Sequence, residues 1–366
     1  MLRSLRQRVL TPARVRSLVT INTRRLEAMQ QAEIVHFCSE HPPRPRTLNE
    51  ICAYKDATEF RKYLLDELPR RYAQRIGTME RLPRWNEFPA MRAIRNIYVD
   101  AFKKLRGIKV QEASRFRSSV IDIQRACSNM PERIVPAVRA MKNKTGLSNE
   151  VVNAFLDDFL IQRIGTEVLS AEYIGLTRPG RPTSVINLDC DPCEVVEAAA
   201  RDATQLCRHH YGFAPPVDIT RIGDVRLPFL ARYLEYIMLE LLKNALRATA
   251  EKHDEMGCEK NPIIVHVVAD DECIMIRVRD RGVGIDPYDI AKTFDYMYTT
   301  AKPQGEDPDD LYSGGGVAPI AGFGCGLPLS RNYARYVGGG LELNSIHPVG
   351  TDVALYLDRT ANQTEQ

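Results

Sequence analysis

No apolar run in the chain approaches the roughly 18 to 20 residues needed to span a bilayer, so a membrane-spanning helix is not expected. Tryptophan occurs once, at Trp85, and the nine cysteines in 366 residues follow no regular spacing. Reduced thiols rather than a disulfide framework are therefore expected. Acidic residues are missing altogether before Glu27. That opening stretch instead sets Arg3, Arg6, Arg8, Arg14, Arg16, Arg24 and Arg25 among Leu2, Leu5, Val9, Leu10, Val15, Leu18 and Val19. An Arg-rich, acid-free, amphipathic segment without a continuous apolar centre excludes a secretory signal and predicts a mitochondrial transit peptide over residues 1–23, although a plain basic tail has the same composition. The formal net charge of +3 turns negative once five of those arginines are lost. A body with that balance carries no overall basic footprint, and nucleic acid is not expected as a partner.

What is present is globular: 44% hydrophobic and 27% charged residues, over a length suited to two domains. Residues 24–177 read as helix. Apolar side chains recur at helical spacing from Phe60 to Ile76, Ile94 to Leu105, Val120 to Met141 and Val151 to Tyr173, with breaks at Pro42 to Pro45 and Pro83 to Pro89, and Ser148 as a helix cap. The pattern predicts an antiparallel four-helix bundle. Arg178 to Pro182 is a turn-rich boundary. Residues 184–360 then mix the two periodicities: a strand at Ser184 to Leu188, a helix from Glu194 to His209, a long helix from Phe229 to Lys252, and a hairpin of Ile263 to Ala269 with Cys273 to Arg279. A glycine-rich stretch (Ser313 to Gly326), a helix (Pro328 to Tyr336) and strands at Leu341 to Ser345 and Asp352 to Leu357 complete an α/β sandwich, helices on one face of a mixed sheet. The fold class is α+β. A continuous helix separates Cys193 from Cys207 by about 21 Å along its axis, so the Cys190/Cys193/Cys207/His209 cluster does not predict zinc.

Three motifs follow in order. In Glu240-Leu-Leu-Lys243-Asn244-Ala-Leu-Arg247 the polar residues share one helix face. Alone, that is the solvent face of any amphipathic helix. Yet asparagine is an indifferent helix former, and a carboxylate with a carboxamide one turn away suits a hydrated Mg²⁺ and a nucleophile to be oriented. Asp280-Arg-Gly282-Val-Gly284 ends a strand, where a carboxylate can accept from an exocyclic amine and glycines allow close backbone approach, though a plain turn uses the same residues. Gly322-Phe323-Gly324-Cys325-Gly326-Leu327-Pro328 runs into a helix, so its N–H groups can face phosphate oxygens with help from the helix dipole; a flexible hinge would look alike. No Gly-Lys-Ser/Thr follows, which excludes a Walker A loop, and neither the dinucleotide fingerprint nor an HRD/DFG pair is present.

In combination the motifs resemble a known superfamily. ELLKNALRAT resembles the N-box, DRGVG the G1 box and GFGCGLPLSRNYARYVGG the G2 box of the Bergerat (GHKL) ATP-binding fold, with His347-Pro-Val-Gly350-Thr351-Asp352 similar to its late G-T element. GFGCGLP with SRNYARY, Asp295-Tyr-Met-Tyr-Thr299-Thr300 and FLIQRIGTEVLSAEYIGL are similar to segments of the mitochondrial 2-oxoacid dehydrogenase kinases. Tyr236, Tyr312-Ser-Gly-Gly and the RLPF of Arg226 to Phe229 lean toward the branched-chain type rather than the pyruvate type, and no Asp-Trp pair of the pyruvate-type tail follows Leu357.

The resemblance implies a serine protein kinase of the mitochondrial matrix that inhibits its target, with ATP and Mg²⁺ as cofactors. Its partners would be the E1α subunit and the lipoyl-bearing E2 core of a 2-oxoacid dehydrogenase complex, and it would be a homodimer. Asp280 would hold the adenine amine with Gly282, Gly284 and Thr351 nearby, and Asn244 would hold Mg²⁺. Lys243 and Arg247 would face negative charge. Thr299, Thr300 and the backbone of Gly322, Phe323, Gly324, Cys325, Gly326 and Leu327 would close over the phosphates, and Glu240 would take the serine proton. Lys302 to Ala321 reads as a mobile lid or as an insertion without catalytic meaning. Two rivals remain: a histidine autokinase, for which only His253-Asp254 offers the needed dipeptide, and a non-catalytic ATP-binding protein.

Overall fold

The computed structural model describes residues 23–180, 182–299, 324–360 and 364. Helices fill the first half: α1 (Thr23–Glu40), α2 (Leu48–Cys52), α3 (Ala57–Glu80), α4 (Pro89–Arg106), α5 (Ala113–Ala126), α6 (Met130–Thr145) and α7 (Asn149–Leu176). α3, α4 and α7 form the centre, flanked by α1, α5 and α6. α7 is apolar around most of its girth, burying Phe155, Phe159, Ile164, Val168, Leu169 and Tyr173, as a helix at the middle of a bundle must. Its start is the expected one: the Ser148 hydroxyl accepts from the Val151 N–H.

One predicted helix divides in two. The apolar spacing runs unbroken from Val120 to Met141, yet the chain turns between α5 and α6, with Asn129 in the left-handed region at φ 51°. Pro131 explains the break, since a proline in the first turn of α6 has no N–H to continue α5.

The second half begins with β1 (Asn187–Cys190), two to three residues later than the Ser184 to Leu188 expected, because Ser184 and the Val185 N–H are taken by Glu172 of α7. Then come α8 (Pro192–Tyr211), β2 (Val217–Ile222), β3 (Leu227–Phe229), α9 (Ala231–Lys252), α10 (Glu255–Glu259), β4 (Ile263–Ala269), β5 (Cys273–Arg279), α11 (Pro287–Ile290), α12 (Gly326–Tyr336), β6 (Gly340–Ile346) and β7 (Gly350–Asp358). The sheet order is β2-β4-β5-β7-β6, parallel between β2 and β4 and antiparallel elsewhere; β1 and β3 pair separately. Alternation buries Val265, Val267, Ile276, Val278, Val353 and Leu355 on the face covered by α8, α9 and α12. A helical part joined to a sandwich of helices on a mixed sheet is the α+β arrangement expected. Among the described residues no helix is long and apolar enough to cross a membrane.

The two halves meet where α12 lies on α7. Asp157 of α7 accepts from the Tyr296 hydroxyl (2.8 Å) and from Arg331 of α12 (2.9 Å). Asn153, one turn earlier, donates to Asp295 (2.7 Å) and accepts from the Tyr296 N–H (3.0 Å).

Candidate ATP-binding site

Helix α9 runs beside the sheet so that Glu240, Asn244, Arg247 and Glu251 follow one another along one wall of a cavity of about 190 Å³. Strands β5, β6 and β7 supply its floor through Val278, Leu343 and Val353, with Asp280 and Thr351 at the strand ends. Thr293, Tyr298 and Thr299 stand on the far side, and Gly324, Gly326 and Leu327 close the end at the start of α12. The helix face is therefore not a solvent face: Lys243 is buried, and Glu240, Asn244 and Arg247 are half-buried.

Asp280 is the buried anion of the floor. Its Oδ1 accepts from the N–H groups of Gly282 (2.8 Å) and Thr351 (3.1 Å), while its own N–H donates to the Thr351 carbonyl (2.9 Å). Burial pushes its carboxyl up to about 6, against the pull of those two N–H groups and of Lys252. Among the described residues Oδ2 takes no protein hydrogen bond, so an acceptor remains for a ligand amine between apolar walls suited to a planar base. The loop carrying it is pinned by Lys252, whose ammonium donates to the carbonyls of Gly282 (2.9 Å) and Pro348 (2.7 Å). Gly284 has φ 69°, and a Cβ there would stand 2.6 Å from the Ile346 carbonyl oxygen, so only glycine fits this turn.

At the other end Lys243 donates to Glu240 Oε1 at 2.7 Å. The second carboxylate oxygen faces Gly326 so closely that any Cβ there would run into it. The Asn244 side chain, one turn on, makes no hydrogen bond among the described residues and lines the cavity. Gly324, at φ 73°, accepts from the Met297 N–H (2.9 Å) and ties the glycine run to the Asp295 to Thr299 segment.

Ten of the residues singled out from the sequence line this cavity: Glu240, Asn244, Arg247, Asp280, Gly284, Thr299, Gly324, Gly326, Leu327 and Thr351. Lys243, Gly282 and Cys325 do not. Lys243 is spent on Glu240, Gly282 packs against the backbone of Ala248, and Cys325 lines a second cavity, its thiol pushed up to about 11 by burial. Thr300, Gly322, Phe323, the Lys302 to Ala321 segment and the leader over residues 1–22 lie outside the described residues. Glu251 and Tyr298 were missed. Glu251 had a signal, since Glu240, Asn244, Arg247 and Glu251 continue the helical step of four and three; Tyr298 had only its place in the family-like Asp295 to Thr300 segment.

Comparison with known proteins gives the family. Residues 40–191 match the family described as mitochondrial branched-chain alpha-ketoacid dehydrogenase kinase, and residues 230–361 match the histidine kinase-, DNA gyrase B-, and HSP90-like ATPase family. A mitochondrial pyruvate dehydrogenase (acetyl-transferring) kinase of Arabidopsis thaliana is 31% identical over 313 residues, 83% of this chain and 86% of the relative. The chain belongs to the mitochondrial 2-oxoacid dehydrogenase kinase family. Its members are ATP-dependent protein kinases built on the GHKL fold, and the α+β architecture above is that fold with its helical partner. A Schizosaccharomyces pombe kinase of the same description is 36% identical over 258 residues, 69% of this chain and 61% of that protein. Isozyme 1 of Rattus norvegicus is 28% identical over 356 residues, 90% of this chain and 80% of the relative.

Proposed function

We propose that this kinase binds MgATP in the α9–sheet cavity and transfers the γ-phosphate to a serine of the E1α subunit of a 2-oxoacid dehydrogenase complex in the mitochondrial matrix, inhibiting that complex. The observation that carries the reading is the pairing, in one cavity, of a buried carboxylate with a spare oxygen at one end and Glu240 with Asn244 at the other. Asp280 holds the adenine amine, with Gly284 and Thr351 beside it. Arg247 and Thr299 face the phosphates together with the N–H groups from Gly324 to Leu327 at the start of α12.

A Mg²⁺ ion fits the donor set, because the unpartnered Asn244 carboxamide is the single hard oxygen ligand this ion needs from protein when phosphates and waters fill the rest. When bound, the ion neutralises charge on the phosphates. Glu240 accepts the serine proton as the hydroxyl oxygen attacks the γ-phosphorus and the bond to the bridging oxygen breaks, releasing ADP. Lys243 keeps that carboxylate turned by holding one of its oxygens.

The names of the relatives favour the pyruvate complex as target over the branched-chain complex to which the sequence leaned. Tyr236 keeps the branched-chain reading in play, since it is an aromatic where the pyruvate type is expected to carry histidine. The lipoyl-bearing E2 core and a second copy of the chain complete the proposed partners. Incubation with radiolabelled ATP and the two purified complexes tests the assignment: label on E1α of either supports it, and label on neither refutes it. Glu240→Gln is expected to retain ATP binding and to lose transfer by roughly a hundredfold or more, in line with removal of a general base; near-normal turnover would refute that role.

A further inference from the structure

Glu240 and Gly326 line not one cavity but two. On the side away from Asp280 the same carboxylate borders a second cavity of about 320 Å³, walled by α6, α7 and the first turns of α12. In liquid terms that is the room of on the order of ten waters, far more than a lone hydroxyl requires. Lys243 fixes one carboxylate oxygen, and the absence of a side chain at Gly326 leaves the other uncovered between the two spaces.

The walls suit a polypeptide. Pro136 stands inside α6 and has no N–H to give to the Glu132 carbonyl four residues back, and both residues line the cavity. A helix there presents a main-chain acceptor that an extended chain can use. From α7, Arg163 is held by Glu167 (2.8 Å), and its Nη1 is buried without an acceptor among the described residues. Arg163 thus brings a fixed positive charge to the cavity wall. Tyr236, four residues before Glu240 on α9, faces the same space. Burial and then the nearby Glu240 charge push its phenol well above the ordinary range, so it stays a donor.

We infer that this second cavity is the acceptor subsite: it takes the serine side chain and adjoining main chain of an extended substrate segment. The segment would enter under α6 with its hydroxyl against Glu240, opposite the γ-phosphate. The inference rests on the kinase reading above and adds the direction from which protein substrate arrives. ATP and acceptor thus approach one carboxylate from opposite sides, and neither must leave for the other to bind.

Two variants outside the nucleotide cavity test it, with purified E1 of the pyruvate and branched-chain complexes as acceptors. Glu132 is exposed on α6, and Glu132→Trp would fill the space. Pro136→Ala restores the helical N–H and so occupies the Glu132 carbonyl without adding bulk. Expected results are an unchanged affinity for a fluorescent ATP analogue, a KM for E1 raised roughly tenfold or more by Glu132→Trp, and a rise of a few fold for Pro136→Ala. If Glu132→Trp is folded by its thermal transition and phosphorylates E1 with wild-type KM, the subsite is elsewhere. Should Glu132→Trp fail to fold, Pro136→Ala decides: an unchanged KM overturns the inference. A wild-type protein that binds ATP but labels no E1 would instead overturn the kinase reading, a result distinct from either.

Discussion

Asp280 differs from the other acids of the cavity in being buried with no cation in contact, which is why its carboxyl sits near 6. Two consequences of opposite sign follow. Its folded pKa lies above the ordinary 3.8, so the folded state holds the proton more tightly, and its contribution to stability is present at low pH and lost as pH rises through about 6. Nucleotide binding runs the other way, because an exocyclic amine prefers the ionised carboxylate. Affinity for an ATP analogue is expected to climb between about pH 5 and 7.5, and Asp280→Asn to flatten the climb; an equal slope in both proteins would show that another group sets the profile. Asn244→Ala is expected to weaken binding of the Mg²⁺ complex by roughly tenfold or more and metal-free nucleotide far less, measured by titration with and without chelator. Asn244 was legible because an amide is unusual in mid-helix, whereas Asp280 and Gly284, ordinary residues for a strand-ending turn, were legible only through the order of the three motifs. The burial of Lys243 on Glu240 was not, since a polar stripe reads the same whether water or a protein wall covers it.

Among elements, those whose period and ends agree were the readable ones. β4 and β5 fall where alternation and the Asp270-Asp271-Glu272 turn put them, and α7 starts at its serine cap. Removing that cap by Ser148→Ala is expected to cost about 1 kcal/mol of stability, read by denaturant unfolding. β2 was illegible. It is a short edge strand behind Pro215-Pro216, with charged or polar residues at half its positions, and only its parallel pairing with β4 makes it a strand. The α5–α6 break was hidden for the opposite reason: apolar spacing persists across it, and one proline outweighs the period. In α6 itself, Pro136 gives up a helical bond on an exposed face that also borders the second cavity.

For the molecule as a whole, bundle and sandwich share one apolar core, and Asp157 ties the polar edge of their join. Asp157→Ala strips the acceptor from both Tyr296 and Arg331, leaving two part-buried donors short. The expected outcome is faster amide exchange in α12 and nucleotide affinity lowered several fold, with the bundle itself still folded; unaltered affinity would mean that the join is passive. Sequence could name Asp295 to Thr299 as a family-like segment but not its anchorage, which depends on residues more than a hundred positions away. That anchorage joins two places by a very short lever. Tyr296 is bolted to α7, Met297 is bonded to the glycine run, and Tyr298 lines the α9–sheet cavity. A slide of α7 is thus expected to carry Tyr296 with it and to reshape the wall that Tyr298 gives the α9–sheet cavity.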